Sequence, residues 1–79
     1  MSVRVMAKEN GLAISNARVD QGMSMRDLAN KSGLSIGAIS NIENGKVANV
    51  RPANAQKISR ALSVHHNTLF DVVKNQKGV

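Results

Sequence analysis

The stretch S24-M-R-D-L-A-N-K-S-G-L-S-I-G-A-I-S-N-I-E-N-G-K46 decides how this chain folds. Ser24 and Asp27 stand three apart, the spacing at which a hydroxyl accepts from an orphan helix N–H while the acid favours the positive helix end. A helix over about Met25 to Lys31 is therefore predicted. Gly33 interrupts it, and Ser35 caps a further helix in which Ile39 and Ile42 share one face. That third helix runs to about Asn44, with Gly45 closing it. Two short helices joined by three or four residues with a glycine in the bend form a helix-turn-helix, whose second helix projects outward where it can enter a DNA groove. By pattern alone, any corner between two helices can look this way.

Working outward, helical spacing around Ile14, Ala17 and Gln21 predicts a first helix near residues 10–21, stopped by Gly22. Downstream, "KVANVRP" reads as a basic loop, and Pro52 suits the first turn of a fourth helix with Ala55, Ile58 and Leu62 inward. A fifth helix is expected over "HNTLFDVVK". The expected fold is all-α, a compact bundle of five short helices. Residues 1–9 form an arm, loose or weakly packed; 10–74 form the domain; 75–79 form a flexible tail.

Composition agrees. The chain has 79 residues and 42% hydrophobic content, enough for one small core. Its apolar residues are aliphatic apart from Phe70, which suits packed helices better than a β sandwich. Eleven Lys and Arg against five acids give a net charge of +6, enough to attract a polyanion such as nucleic acid or an anionic membrane surface. No apolar run approaches a membrane span, and the N-terminus lacks the apolar centre of a signal peptide, so a cytoplasmic location is expected. With no cysteine, disulfides and thiolate zinc sites are excluded. His65-His66 reads as a surface helix start rather than a metal site, and no cofactor is expected.

The run "SMRDLANKSGLSIGAISNIENGK" resembles the helix-turn-helix of the Cro and phage-repressor (Xre) family of bacterial regulators. The likeness extends from about Ile14 to Phe70, and its most specific parts are Leu28-Ala29, Gly33, Ser35 and Ile39 to Gly45. It implies a DNA-binding domain with the lambda-repressor-like fold, bacterial or phage-encoded. It also implies that Arg18 pairs with Glu43 as a structural ion pair. The sequence departs from the family at Met25, where relatives often carry Gln, and at Ser63-Val64-His65, where relatives place Gly, Val and Ser. The second departure predicts that the fifth helix starts later or frays.

With Ile39 and Ile42 inward, the outward residues of the third helix are Ser35, Ile36, Gly37, Ser40, Asn41 and Asn44, the places that family members use on DNA. Asn41 and Ile36 are the expected base readers, because Asn pairs with adenine and an apolar atom meets the thymine methyl. Gly37 has two even readings: an indifferent surface residue, or the gap that lets the helix backbone approach a base or phosphate. Ala38 is expected against the second helix. Arg26, Lys46 and Arg51 bracket the third helix as phosphate contacts. Arg4 and Lys8 are read as part of the loose arm in preference to groove contacts.

An enzyme is not expected, since no nucleophile, base and orienter fall together. Single-strand binding is disfavoured by the near absence of aromatics. Two classes remain: a regulator, in the first instance a repressor that binds a palindromic operator as a homodimer, and an antitoxin-like protein-interaction module on the same fold. Leu69, Phe70, Val72 and Val73 exceed what one inner helix face needs. They offer either a homodimer surface or a wrapped C-terminal core.

Overall fold

The computed structural model describes residues 3–47 and 49–74. Its helices are α1 (Leu12–Asp20), α2 (Met25–Ser32), α3 (Ile36–Glu43), α4 (Pro52–Leu62) and α5 (His66–Leu69). Strands β1 (Val3–Ala7) and β2 (Phe70–Lys74) flank them. The helical bundle is the expected one, and the small sheet is an addition to it.

Local chemistry sets the boundaries of the central pair. Ser24 Oγ accepts from the Asp27 N–H and the Asp27 carboxylate accepts from the Ser24 N–H, both at 3.0 Å, so two orphan donors of α2 are satisfied reciprocally. Ser35 Oγ accepts from the Ala38 N–H at 3.1 Å and opens α3. Between them Gly33 adopts φ +77°, the left-handed conformation that lets α2 stop and the chain turn.

The core is built from Ile14, Leu28, Ile39, Ile58, Leu62, Leu69 and Phe70, all at most 1% exposed. Ala29 and Ala55 are also buried, small enough to let neighbouring helices approach. The expected inner face of α4, Ala55, Ile58 and Leu62, is buried as its period predicts. Gln21 lies past the end of α1 and donates from Nε2 to the Leu62 carbonyl at 2.7 Å, tying α1 to the end of α4.

Three expectations are corrected. The fifth helix does not run through "HNTLFDVVK": it ends at Leu69, and Phe70 is already extended at φ −134°, ψ 149°. The segment "FDVVK", with an aromatic and two β-branched residues, forms β2, because a strand partner is available. That partner is the segment expected to be a loose arm. β1 pairs antiparallel with β2 in the register Arg4 to Val73, Val5 to Val72, Met6 to Asp71 and Ala7 to Phe70. The first helix is also shorter than residues 10–21, because Glu9 and Asn10 take left-handed values, φ 52° and 55°, in a tight turn over Lys8–Gly11. The expected tail, residues 75–79, lies outside the described residues.

α5 starts at His66, where "HNTLFDVVK" places it, so the departure at Ser63-Val64-His65 does not delay the helix. Ser63 sits at φ +56°, a conformation glycine would take more easily, and His65 Nδ1 caps the helix by accepting from the Asn67 N–H at 3.2 Å. The His65 and His66 rings lie 4.3 Å apart between centroids.

Candidate nucleic-acid interface

Rigidity of α3 begins with Arg18 and Glu43. Arg18 Nε donates to Glu43 Oε2 at 2.9 Å and Nη2 donates to Oε1 at 3.0 Å, a two-pronged match of guanidinium to carboxylate. The third nitrogen, Nη1, donates to the Met23 carbonyl at 2.8 Å. The pair is largely enclosed, with side chains 12% and 3% exposed. Glu43 holds the Arg18 guanidinium protonated above its ordinary range, first through the hydrogen bond and then through charge. One pair thus joins α1, the turn before α2, and the last residue of α3.

Ile39 and Ile42 face the core, which turns the opposite side of α3 outward. There Ile36 is 47% exposed, Gly37, Asn41 and Asn44 are exposed, and Ser40 is half-buried. Asn44 Nδ2 donates to Ser40 Oγ at 3.2 Å across one helical turn, so these two side chains are already mutually oriented. Ser35 uses its oxygen as the cap acceptor but keeps its hydroxyl proton as a donor. A Cβ built on Gly37 would meet nothing within 4 Å, so packing within the protein does not demand glycine there. Ala38 is half-buried and lines the cleft described next.

The charges lie around this face rather than on it. Arg26 is exposed in the first turn of α2, and Lys46 and Arg51 are exposed at the two ends of the loop between α3 and α4. Beside α3 opens a cleft of about 290 Å³, lined in part by Asn41, Asn49, Arg51 and Asn54, with Ile42 and Val50. Asn49 and Asn54 are not among the site residues expected from sequence. The available signal is positional: amides in a loop and a helix start, next to basic residues that the sequence does mark. Met25, at the departure noted above, is half-buried against the core, so it acts as packing and presents no polar group outward.

A helical bundle whose second and third helices meet at a glycine turn, with an open polar helix face bracketed by cations, defines the helix-turn-helix class of DNA-binding folds. Comparison with known proteins agrees: residues 14–69 match the helix-turn-helix family model HTH_3, and the chain belongs to that family. Among solved structures it is similar to the restriction-modification controller protein C.AhdI from Aeromonas hydrophila, at 29% identity and TM-score 0.70 over 73% of this chain and 86% of that one. It is also similar to the clp gene regulator ClgR from C. glutamicum, at 30% identity and TM-score 0.66 over 72% of this chain and 73% of that one. A point mutant of the restriction-modification controller protein C.Esp1396I matches at 34% identity and TM-score 0.65, covering 70% of each chain. No curated protein sequence matches.

No group of three or more His, Asp or Glu side chains suited to a metal ion occurs among the described residues. No helix among them is long and apolar enough to cross a membrane.

Proposed function

We propose that the chain is a sequence-specific, duplex-DNA-binding regulator of transcription, in the first instance a cytoplasmic repressor, that inserts α3 into the major groove. The observation that carries this reading is the division of labour around α3: an exposed uncharged face, Ile36, Gly37, Ser40, Asn41 and Asn44, between exposed Arg26 on one side and Lys46 and Arg51 on the other. In this reading the cations and the capped start of α3 at Ser35 neutralise phosphates and set register, which accounts for affinity. Asn41 and Ile36 read base edges, the amide against adenine and the methyl groups against thymine. The family membership and the regulator names of the similar structures support it.

A homodimer on a two-fold operator, with half-sites about 34 Å apart, follows the usual symmetry of helix-turn-helix readers. Its surface is narrower than the sequence suggests. Leu69 and Phe70 are in the core, Val72 is 43% exposed, and the side chain of Val73 lies outside the described residues.

The absence of Arg and Lys from the exposed face removes the commonest guanine contact, so each half-site is expected to be A·T-rich at its centre. Selection of bound sequences from a random duplex pool tests this directly. A two-fold A·T-centred consensus is the expected result, and recognition mainly through guanines would show that another surface reads the DNA.

A second reading, a protein-interaction module of the antitoxin kind, draws support from Leu12 and Val19, which are 50% and 62% exposed and lie two helical turns apart on α1. Such a module would bind random duplex no better than its charge predicts and would show no consensus in the same selection.

A further inference from the structure

The segment before α1 grips the loop that carries Lys46 and Arg51 at both of its ends. At the near end, Gly11 packs so tightly on the exit of α3 that a Cβ there would overlap the Ile42 carbonyl and lie 2.5 Å from Glu43 Cα. Beside it, a Cβ on Gly45 would lie 3.1 Å from Asn10 Cβ, so the turn at Asn10 and the turn at Gly45 are in direct apposition. At the far end, Val50 N–H donates to the Val5 carbonyl at 2.6 Å in an isolated antiparallel bridge. Both valine side chains are buried, at 4% and 5% exposure. β1 is in turn held on its other edge by β2.

We propose that Val5–Gly11 is the positioning element of the DNA-contacting loop: it fixes where Lys46 and Arg51 present their charges without itself touching DNA. The inference rests on the DNA-binding reading above. Its physical basis is that the loop's backbone bonds from the Gly45 N–H to the Ile42 carbonyl at 3.2 Å and from the Lys46 N–H to the Asn41 carbonyl at 2.9 Å tie it only to α3, the helix it has just left. The loop leaves α3 at Asn44 and reaches α4 at Pro52, and the cap residue of α4, Arg51, makes no side-chain cap hydrogen bond. An unanchored loop would have to be ordered on each binding event, and that conformational entropy would be subtracted from the phosphate contacts. Held by the clamp, the two cations are preorganised. The clamp also gives the N-terminal residues a role other than following the groove: Lys8 is turned to Asp71 of β2, 3.9 Å away.

The test uses the full chain and a duplex selected from the random pool. Val50→Pro deletes the bridging N–H and leaves every charge in place. It is expected to lower operator affinity about tenfold and to reduce the slope of log affinity against log salt by about one phosphate contact. Arg51→Ala added to Val50→Pro should then cost much less than Arg51→Ala alone, because the contact has already been loosened. Arg4→Ala should leave affinity and slope unchanged. Both measurements are made where circular dichroism shows the variants folded, so that a loss of folded protein cannot imitate the slope change. If Val50→Pro does not fold, Val5→Ala serves instead: faster amide exchange at Val50 together with a shallower salt slope supports the clamp. An unchanged slope in a folded variant, full additivity with Arg51→Ala, or a loss from Arg4→Ala equal to that from Val50→Pro each overturns it. If the intact chain binds no duplex above its charge expectation, the DNA-binding reading fails, and the clamp fails with it as a separate, recognisable result.

Discussion

At the scale of single residues, one substitution separates structure from recognition. Gly37 has open space where its Cβ would be, and it lies inside α3. Alanine there should stabilise the helix by about 1 kcal/mol, raising the melting temperature by roughly 4–8 °C for a domain of this size. If the bare backbone approaches a base or phosphate, the same change lowers operator affinity. A variant that melts higher and binds equally well would return Gly37 to the class of indifferent surface residues. Arg18 is the opposite case, since its whole effect is expected in stability. Removing it leaves the 3% exposed Glu43 carboxylate without its partner. Arg18→Ala is therefore expected to cost about 3–5 kcal/mol, a fall in melting temperature of more than about 10 °C. A fall of only a few degrees would mean that water reaches the pair.

At the scale of elements, the reciprocal cap on α2 makes a prediction about acid. The Ser24 N–H holds the Asp27 carboxyl below the usual carboxylate range, with the Ser24 hydroxyl contact adding to it. A carboxyl whose folded pKa is lowered contributes stability that is fully present above its unfolded value of about 3.9. That contribution is lost as pH falls through the lower folded value. The expected outcome is an acid limb of the melting curve, below about pH 4, that flattens in Asp27→Asn. An unchanged limb in that variant would place the acid sensitivity elsewhere.

The same scale shows how far local pattern carries. Capping residues, glycine stops and Pro52 place α2, α3 and α4 within a residue or two, because each of those boundaries is made by hydrogen bonds or backbone preferences inside a few neighbouring residues. The sequence overextends α5 because "HNTLFDVVK" suits either a helix or a strand, and periodicity over so short an apolar run does not distinguish them. A partner strand from the opposite end of the chain makes the choice, by offering "FDVVK" an edge to pair with.

At the scale of the whole molecule, the sheet joins the N-terminal strand to the C-terminal one and, through Val50, reaches the loop beside α3. In place of a basic domain with a loose arm there is a closed circuit: β2 holds β1, β1 holds the loop, and Arg18 holds α3 by its last residue. The outward face of α3 is legible in advance, because Ile39 and Ile42 fix its rotation and a helix has only one side opposite its core. Asn49 and Asn54 are not legible as neighbours of Asn41, since they lie on a loop and on another helix, and no period relates them.

The sequence by itself determined the helical core, the glycine turn between α2 and α3 and the face α3 turns outward, and with a family resemblance added it also named the pairing partner of Arg18. The first three are encoded within a few turns of chain. Only the tertiary structure decided that the N-terminal residues form a strand, that the chain leaves α5 after four residues to pair with it, and that the strand is bridged to the loop beside α3 through Val5 and Val50. A strand's hydrogen-bonding groups are satisfied by a neighbour that local sequence cannot name, so its existence depends on which distant segments the folded core brings together.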